Sequence, residues 1–128
     1  MNHVTTHPVA HHDQRGHIIN VLELPESANP VRGAGLITSQ ANTIRSCHYH
    51  RTDGHWLHVI SGEMRYYERS IGSRDWGEPV IVRVGQSIYT PPMVEHKTEF
   101  PVLTLLLSLS HNSRTHEEHE ADLVRVSA

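Results

Sequence analysis

A chain of 128 residues with a formal net charge of −3 is sized for one domain with a self-standing core, and it lacks the basic field that attracts nucleic acid. Its single cysteine, Cys47, excludes an intramolecular disulfide and fits a reducing compartment. The polar, His-rich N-terminus has no apolar leader pattern, and the longest apolar run, 102–109, is broken by Thr104 and Ser108 and too short to span a bilayer, so a cytoplasmic protein without nucleic-acid or membrane partners is expected.

In chain order the sequence predicts strands over 17–24, 35–38, 43–50, 55–61, 64–70, 80–84, 87–90 and 103–109. Turn residues separate them: Pro25 and Pro30, Gly33 and Gly35, Asp53-Gly54, Gly62, Gly72 to Gly77, Gly85, and Pro91-Pro92. Short strands at this spacing read as an all-β sandwich or barrel, and about eight of them fit a jelly roll around a cavity lined by alternate residues. One short, exposed helix is expected over 115–123, where Thr115 precedes Glu118 by three residues as a capping box. No repeat or linker divides the chain, which reads as a single domain over 1–128.

The composition departs from the ordinary in one respect, 13 histidines against one phenylalanine. Those at 3, 7, 11, 12 and 17 are scattered over a polar segment, and His111, His116 and His119 fall in a charged tail. Only the central group follows a strand period. Residues i and i+2 of a strand share a face, so His48 and His50 project together. His55, Leu57 and Val59 share a face of the next strand, with Trp56, His58 and Ile60 on the other. A hairpin about Arg51-Thr52-Asp53-Gly54 brings His48, His50 and His55 to one surface, and His96, beyond Pro91-Pro92, adds a fourth imidazole. Four histidines at these positions predict a site for a divalent transition metal, with Zn, Fe, Ni and Mn as candidates. Parity removes His58 and Cys47. The stretch His116-Glu117-Glu118-His119 has i,i+3 rather than i,i+4 spacing and is rejected as a zinc-protease motif.

No carboxylate joins this set, since Glu95 alternates away from His96. An all-His shell suits Lewis-acid polarisation of a carbonyl or stabilisation of an enolate and leaves oxygen chemistry open. Met64, Tyr66 and Glu68 share one face, and Tyr66 and Glu68 are its polar members able to move protons. His96, Thr98, Val102, Thr104 and Leu106 share another if no bulge intervenes, which makes Thr104 a candidate substrate contact. Trp56 and Tyr67 read as packing residues.

These motifs resemble the cupins. His48, His50 and Gly62 match the first cupin motif, with His55 where the family normally has Glu. Gly85, Pro91 and His96 match the second, with Phe100 in place of a frequent Asn. The resemblance covers roughly 44–109 and implies a double-stranded β-helix, the jelly-roll barrel, with a core over about 13–110, a short C-terminal extension and homodimers paired through sheets. A narrower likeness is to the dTDP-4-dehydrorhamnose 3,5-epimerases, carried by Asp13-Gln14-Arg15-Gly16 and by Ile44-Arg45-Ser46-Cys47-His48-Tyr49-His50. It implies a small-molecule substrate, His48 as general base and Arg45 as a phosphate contact. The chain departs from it at Ser46, where the family has Gly, at His50, where a metal-free pocket has Gln, and in having no Tyr after Tyr89. Three functions remain open at this point: a metal-dependent isomerase or epimerase of a keto sugar or sugar nucleotide, a His-ligated non-haem Fe dioxygenase, and a non-catalytic ligand-binding or sensor protein.

Overall fold

A computed structural model describes residues 4–128. The strands are β1 (Thr5–Thr6), β2 (Val9–Asp13), β3 (Gly16–Ile19), β4 (Gly33–Ser39), β5 (Thr43–His50), β6 (His55–Ser61), β7 (Glu63–Arg69), β8 (Val80–Arg83), β9 (Gln86–Thr90), β10 (Glu95–Phe100), β11 (Thr104–Ser110) and β12 (Leu123–Arg125), with one helix, α1 (His116–Asp122). Two five-stranded antiparallel sheets, ordered β1-β9-β6-β11-β4 and β12-β5-β10-β7-β8, face one another as a jelly roll, and β2 and β3 form a separate hairpin.

Alternation governs what the two sheets enclose. Along β6 the buried positions are His55, Leu57 and Val59, and along β11 they are Thr104, Leu106, Ser108 and Ser110. The barrel therefore has two unlike ends. One is apolar, where Val59, Met64, Val82, Phe100 and Leu106 are buried to within 1% of full enclosure. At the other, where β5 turns into β6, the inward residues are histidines. The apolar end is closed by the one-residue turn at Gly62, whose φ of +93° and close approach to Thr104 leave no room for a Cβ.

Several expectations change. The strand expected over 17–24 ends at Ile19 as the second arm of the β2–β3 hairpin. Its turn is held by Asp13, whose carboxylate accepts from the Arg15 backbone N–H at 2.9 Å and from the Arg15 guanidinium at 2.6 Å. Strand β10 was not among the predicted strands. Its sequence, Glu95-His96-Lys97-Thr98-Glu99-Phe100, looks like solvated chain but buries His96, Thr98 and Phe100 on alternate positions. Val102 does not share their face: the chain turns at Pro101, and Val102 is 47% exposed. The expected helix forms, with the Thr115 hydroxyl accepting from the Glu118 N–H. The segment after it adds β12 to the edge of β5.

Candidate functional site

The histidine end of the barrel is built by a register and a bulge. On β10, His96 pairs with His48 of β5 while Lys97 pairs with Ser46, so Cys47 has no partner opposite it. This β-bulge places Ser46 (φ 78°) and Cys47 (φ 54°) in the left-handed region. Its effect is to re-aim the strand so that His48 and His50 both point inward against β10. The ligating nitrogens of His48, His50 and His96 lie within 4.8 Å of one another. Their rings meet at centroid distances of 4.8 Å (48 to 50), 4.7 Å (48 to 96) and 5.6 Å (50 to 96).

What each ring nitrogen touches sets its tautomer. His96 Nδ1 lies 3.3 Å from the Val94 carbonyl, an acceptor, so Nδ1 carries the proton and Nε2 keeps its lone pair. His50 Nδ1 lies 3.3 Å from Asp122 Oδ2, an ion-pair contact without hydrogen-bond alignment, which likewise favours the proton on Nδ1. The Nε2 atoms of both residues are buried and have no hydrogen-bond partner. Buried polar atoms are rarely left so, and two such lone pairs converging with His48 are what a metal ion would satisfy. His55 differs. Arg114 Nη2, which can only donate, contacts His55 Nδ1 at 3.0 Å. The proton of neutral His55 is thereby on Nε2, and neither nitrogen is set to bind a metal. Its ring stands 5.5 Å from His50 and 5.3 Å from His96 and lines the same cavity, but its nitrogens are not among those within 4.8 Å of one another.

Burial keeps this cluster neutral. The loss of solvent is the main reason that the His48 pKa falls to about 4 and that of His50 to about 3, with His119 and Arg114 respectively as the next causes. His55 and His96 are pushed well below the ordinary value, again first by burial and then by neighbouring histidines. Neutral imidazole is the ligand form.

The tail adds residues that the sequence did not single out. Arg114 pairs through Nε with buried Asp53 Oδ2 at 3.0 Å. Asp122 accepts from the backbone N–H groups of Thr52 at 2.9 Å and Asp53 at 3.1 Å, fixing the end of α1 on the β5–β6 turn. His119, rejected above as part of a motif, is half-buried with its ring 5.4 Å from His50 and 6.3 Å from His48. The only sequence signal for these was the capping box that places the helix. Of these, Arg114 and His119 border, with Arg45 and Ser46, a cavity of about 210 Å³ that holds the cluster.

The remaining candidates lie elsewhere. Thr104 is fully buried at the apolar end, its hydroxyl engaged with the Glu63 N–H and with the Glu63 and Val102 carbonyls. Tyr66 Oη donates to Glu68 at 2.7 Å and meets Thr90 Oγ1 at 2.7 Å. Its ring lies nearly parallel to His96 at 6.4 Å, so Tyr66 and Glu68 abut His96 rather than the cavity. Arg45 is at the rim, donating to Ser39 Oγ and the Thr38 carbonyl. Glu95 turns away to pair with Arg69 at 2.9 Å. His58 is on the outer face and shares the Ser87 hydroxyl with His7. A more open cleft of about 610 Å³ lies there, between the N-terminal arm and the Trp56 and Tyr89 rings. No group of three potential metal ligands lies in it among the described residues.

The family model described as "Cupin domain" matches residues 35–102. No curated protein matches the chain. Among solved structures it is similar to the sugar 3,4-ketoisomerase QdtA of Thermoanaerobacterium thermosaccharolyticum in complex with TDP (16% identity, TM-score 0.74, covering 97% of this chain and 87% of that one). It is also similar to a 3,4-ketoisomerase of Helicobacter canadensis (16%, 0.76, 97% and 90%). A third likeness is to ChmJ, a 3'-monoepimerase of Streptomyces bikiniensis in complex with dTDP-quinovose (17%, 0.77, 98% and 69%). Identities at this level establish a shared fold.

Proposed function

The chain belongs to the cupin family, and we propose that within it this protein is a metal-holding enzyme that isomerises or epimerises a small keto compound, a keto sugar or its nucleotide-linked form. The observation that carries the reading is the three-His group, whose nitrogens lie within 4.8 Å of one another and whose two buried Nε2 atoms have no protein partner. Ketoisomerases and epimerases of nucleotide-linked sugars among the similar structures favour carbonyl chemistry over the other uses of such a site.

His48, His50 and His96 would hold the metal. When bound, a divalent ion supplies Lewis acidity that polarises a carbonyl and lowers the pKa of the adjoining C–H. Asp122 and the Val94 carbonyl keep the His50 and His96 rings turned with Nε2 toward the cluster. The proton taken from carbon needs a neutral base on the open side. His119 fits that part: it borders the cavity, and burial followed by the Arg114 charge lowers its pKa, so that a ring nitrogen is free to accept at neutral pH. The enclosing Leu57, Phe100 and Leu106 exclude water from the reacting centre.

The test is solvent exchange. Protein loaded with Zn or Ni in D2O, incubated with ketoses and a dTDP-4-keto sugar and followed by NMR, should wash deuterium into the position beside the carbonyl. Chelation should stop the exchange, and His119→Gln should slow it by about 10²-fold or more. No exchange with any substrate would remove the isomerase reading, and oxygen uptake by Fe-loaded protein in its place would establish a dioxygenase.

A further inference from the structure

The charged side chains that border the cavity at the histidine cluster are cationic, with Asp53 paired to Arg114 and Asp122 in contact with His50 just outside its lining. Among the described residues bordering it, Arg45 and Arg114 are charged and none is acidic. Arg114 is engaged at two of its nitrogens, Nε with Asp53 and Nη2 with His55. Neither contact takes Nη1, and the side chain is 24% exposed. Arg45 has no carboxylate partner, since Ser39 Oγ and the Thr38 carbonyl are both neutral. Asp122 is turned to the Thr52 and Asp53 backbone, where its oxygens are already occupied.

This inventory is poorly matched to a neutral polyol. Each sugar hydroxyl that enters a buried site needs an acceptor as well as a donor. Here the side-chain hydroxyl of Thr98 is already donated to the Arg45 carbonyl, Ile37, Leu57, Phe100 and Leu106 offer nothing polar, and acceptors are confined to the Ser46 hydroxyl and the imidazoles. What the cavity offers is a planar guanidinium with Nη1 unengaged, the group that matches a carboxylate. Its volume of about 210 Å³ also falls below the roughly 300–1,000 Å³ of sites for drug-sized ligands. A whole sugar nucleotide would not be contained.

We infer that the substrate is a small keto acid, a keto sugar acid at the largest, and that Arg114 selects it by pairing Nη1 with the carboxylate while the carbonyl faces the three histidines. The inference rests on the metal-holding reading above and narrows its substrate class. Arg45 at the rim adds to the attracting field without contacting the reacting carbons.

Isothermal titration of the Zn-loaded protein with three probes tests it: 5-keto-D-gluconate, D-fructose, which lacks the carboxylate, and fructose 6-phosphate, which carries a different anion. The keto acid should bind at least about tenfold tighter than either. Arg114→Gln should remove that preference, bringing the keto acid to the affinity of D-fructose. Should the single variant fail to fold because Asp53 is left buried and unpaired, Asp53→Asn/Arg114→Gln removes both charges of the pair and gives the same readout. Equal binding of acid and ketose, tighter binding of the phosphate, or a preference that survives without Arg114 overturns the inference. The two readings fail separately. A protein that retains no Zn defeats the metal-holding proposal, whereas an Arg114-dependent preference for the keto acid in metal-free protein still supports this one.

Discussion

At the scale of single residues, the site is decided by which ring nitrogen carries the proton. His50, His96 and His55 are all buried imidazoles of one barrel end. Acceptors at Nδ1, Asp122 and the Val94 carbonyl, free Nε2 of the first two, and a cationic donor at Nδ1 occupies the third. Strand parity alone made these three equivalent, which is why four ligands were expected and three converge. No sequence pattern encodes a tautomer, because the groups that set it come from positions 94, 114 and 122, far from those they act on. Asp122 is thereby a positioning residue. Asp122→Asn should weaken Zn binding by about 10–100-fold, the usual cost of losing such a partner, measured by competition with a chromogenic chelator. The variant should keep its fold, since Asn Oδ1 can still accept from the Thr52 N–H and hydroxyl while only the Asp53 N–H bond to the second oxygen is lost. Unchanged Zn affinity would show that His50 is oriented by packing alone.

At the scale of elements, the sequence was most legible where apolar and polar residues alternate. Strands β5 and β6 match their expected limits, β8 and β9 differ by a residue at one end, and β7 and β11 are shifted by a residue at both. Strand β10 was missed because its inward positions are His96, Thr98 and Phe100 and its outward ones charged, so a core strand presents only one conventional apolar residue. The bulge at Ser46-Cys47 was missed too, though it is what turns His48 and His50 inward. Two consecutive non-glycine residues with φ of 78° and 54° mean that the strand accepts a backbone penalty there, about 1 kcal/mol or more per residue. Ser46→Gly should relieve one of these and stabilise the protein by about 1 kcal/mol, while Ser46→Val should destabilise it by at least as much. Urea denaturation would read both. A destabilised Ser46→Gly would mean that the serine side chain contributes more than the backbone strain removes.

At the scale of the whole molecule, the barrel sets an apolar end against a histidine end, and the tail closes the second. Arg114, His119 and Asp122 all come from the 114–122 stretch, which the sequence presents as a short charged helix with no apolar face. Its hold on the barrel is polar and terminal: Asp122 on the β5–β6 turn and β12 on the β5 edge. Such contacts leave no periodic signal. The design has a consequence for pH. The neutral His48, His50, His55 and His96 have pKa values held below their ordinary 6.5, near 4 and 3 for the first two. Between those values the unfolded chain binds protons that the folded one does not, so stability rises with pH across the window and is lost as pH falls from about 6.5 toward 4. Metal-free protein should therefore melt at progressively lower temperature from pH 7 to pH 5, above the range where ordinary carboxylates titrate. His96→Gln, with one buried imidazole fewer, should show a shallower slope. Bound metal should raise stability at pH 7, and that gain should shrink toward pH 5, because protons compete for the same Nε2 lone pairs. A melting temperature that is flat across this range, or a slope that His96→Gln leaves unchanged, would mean that the buried cluster takes up protons without cost, and the neutral state on which the proposed metal-holding role depends would not be imposed by the fold.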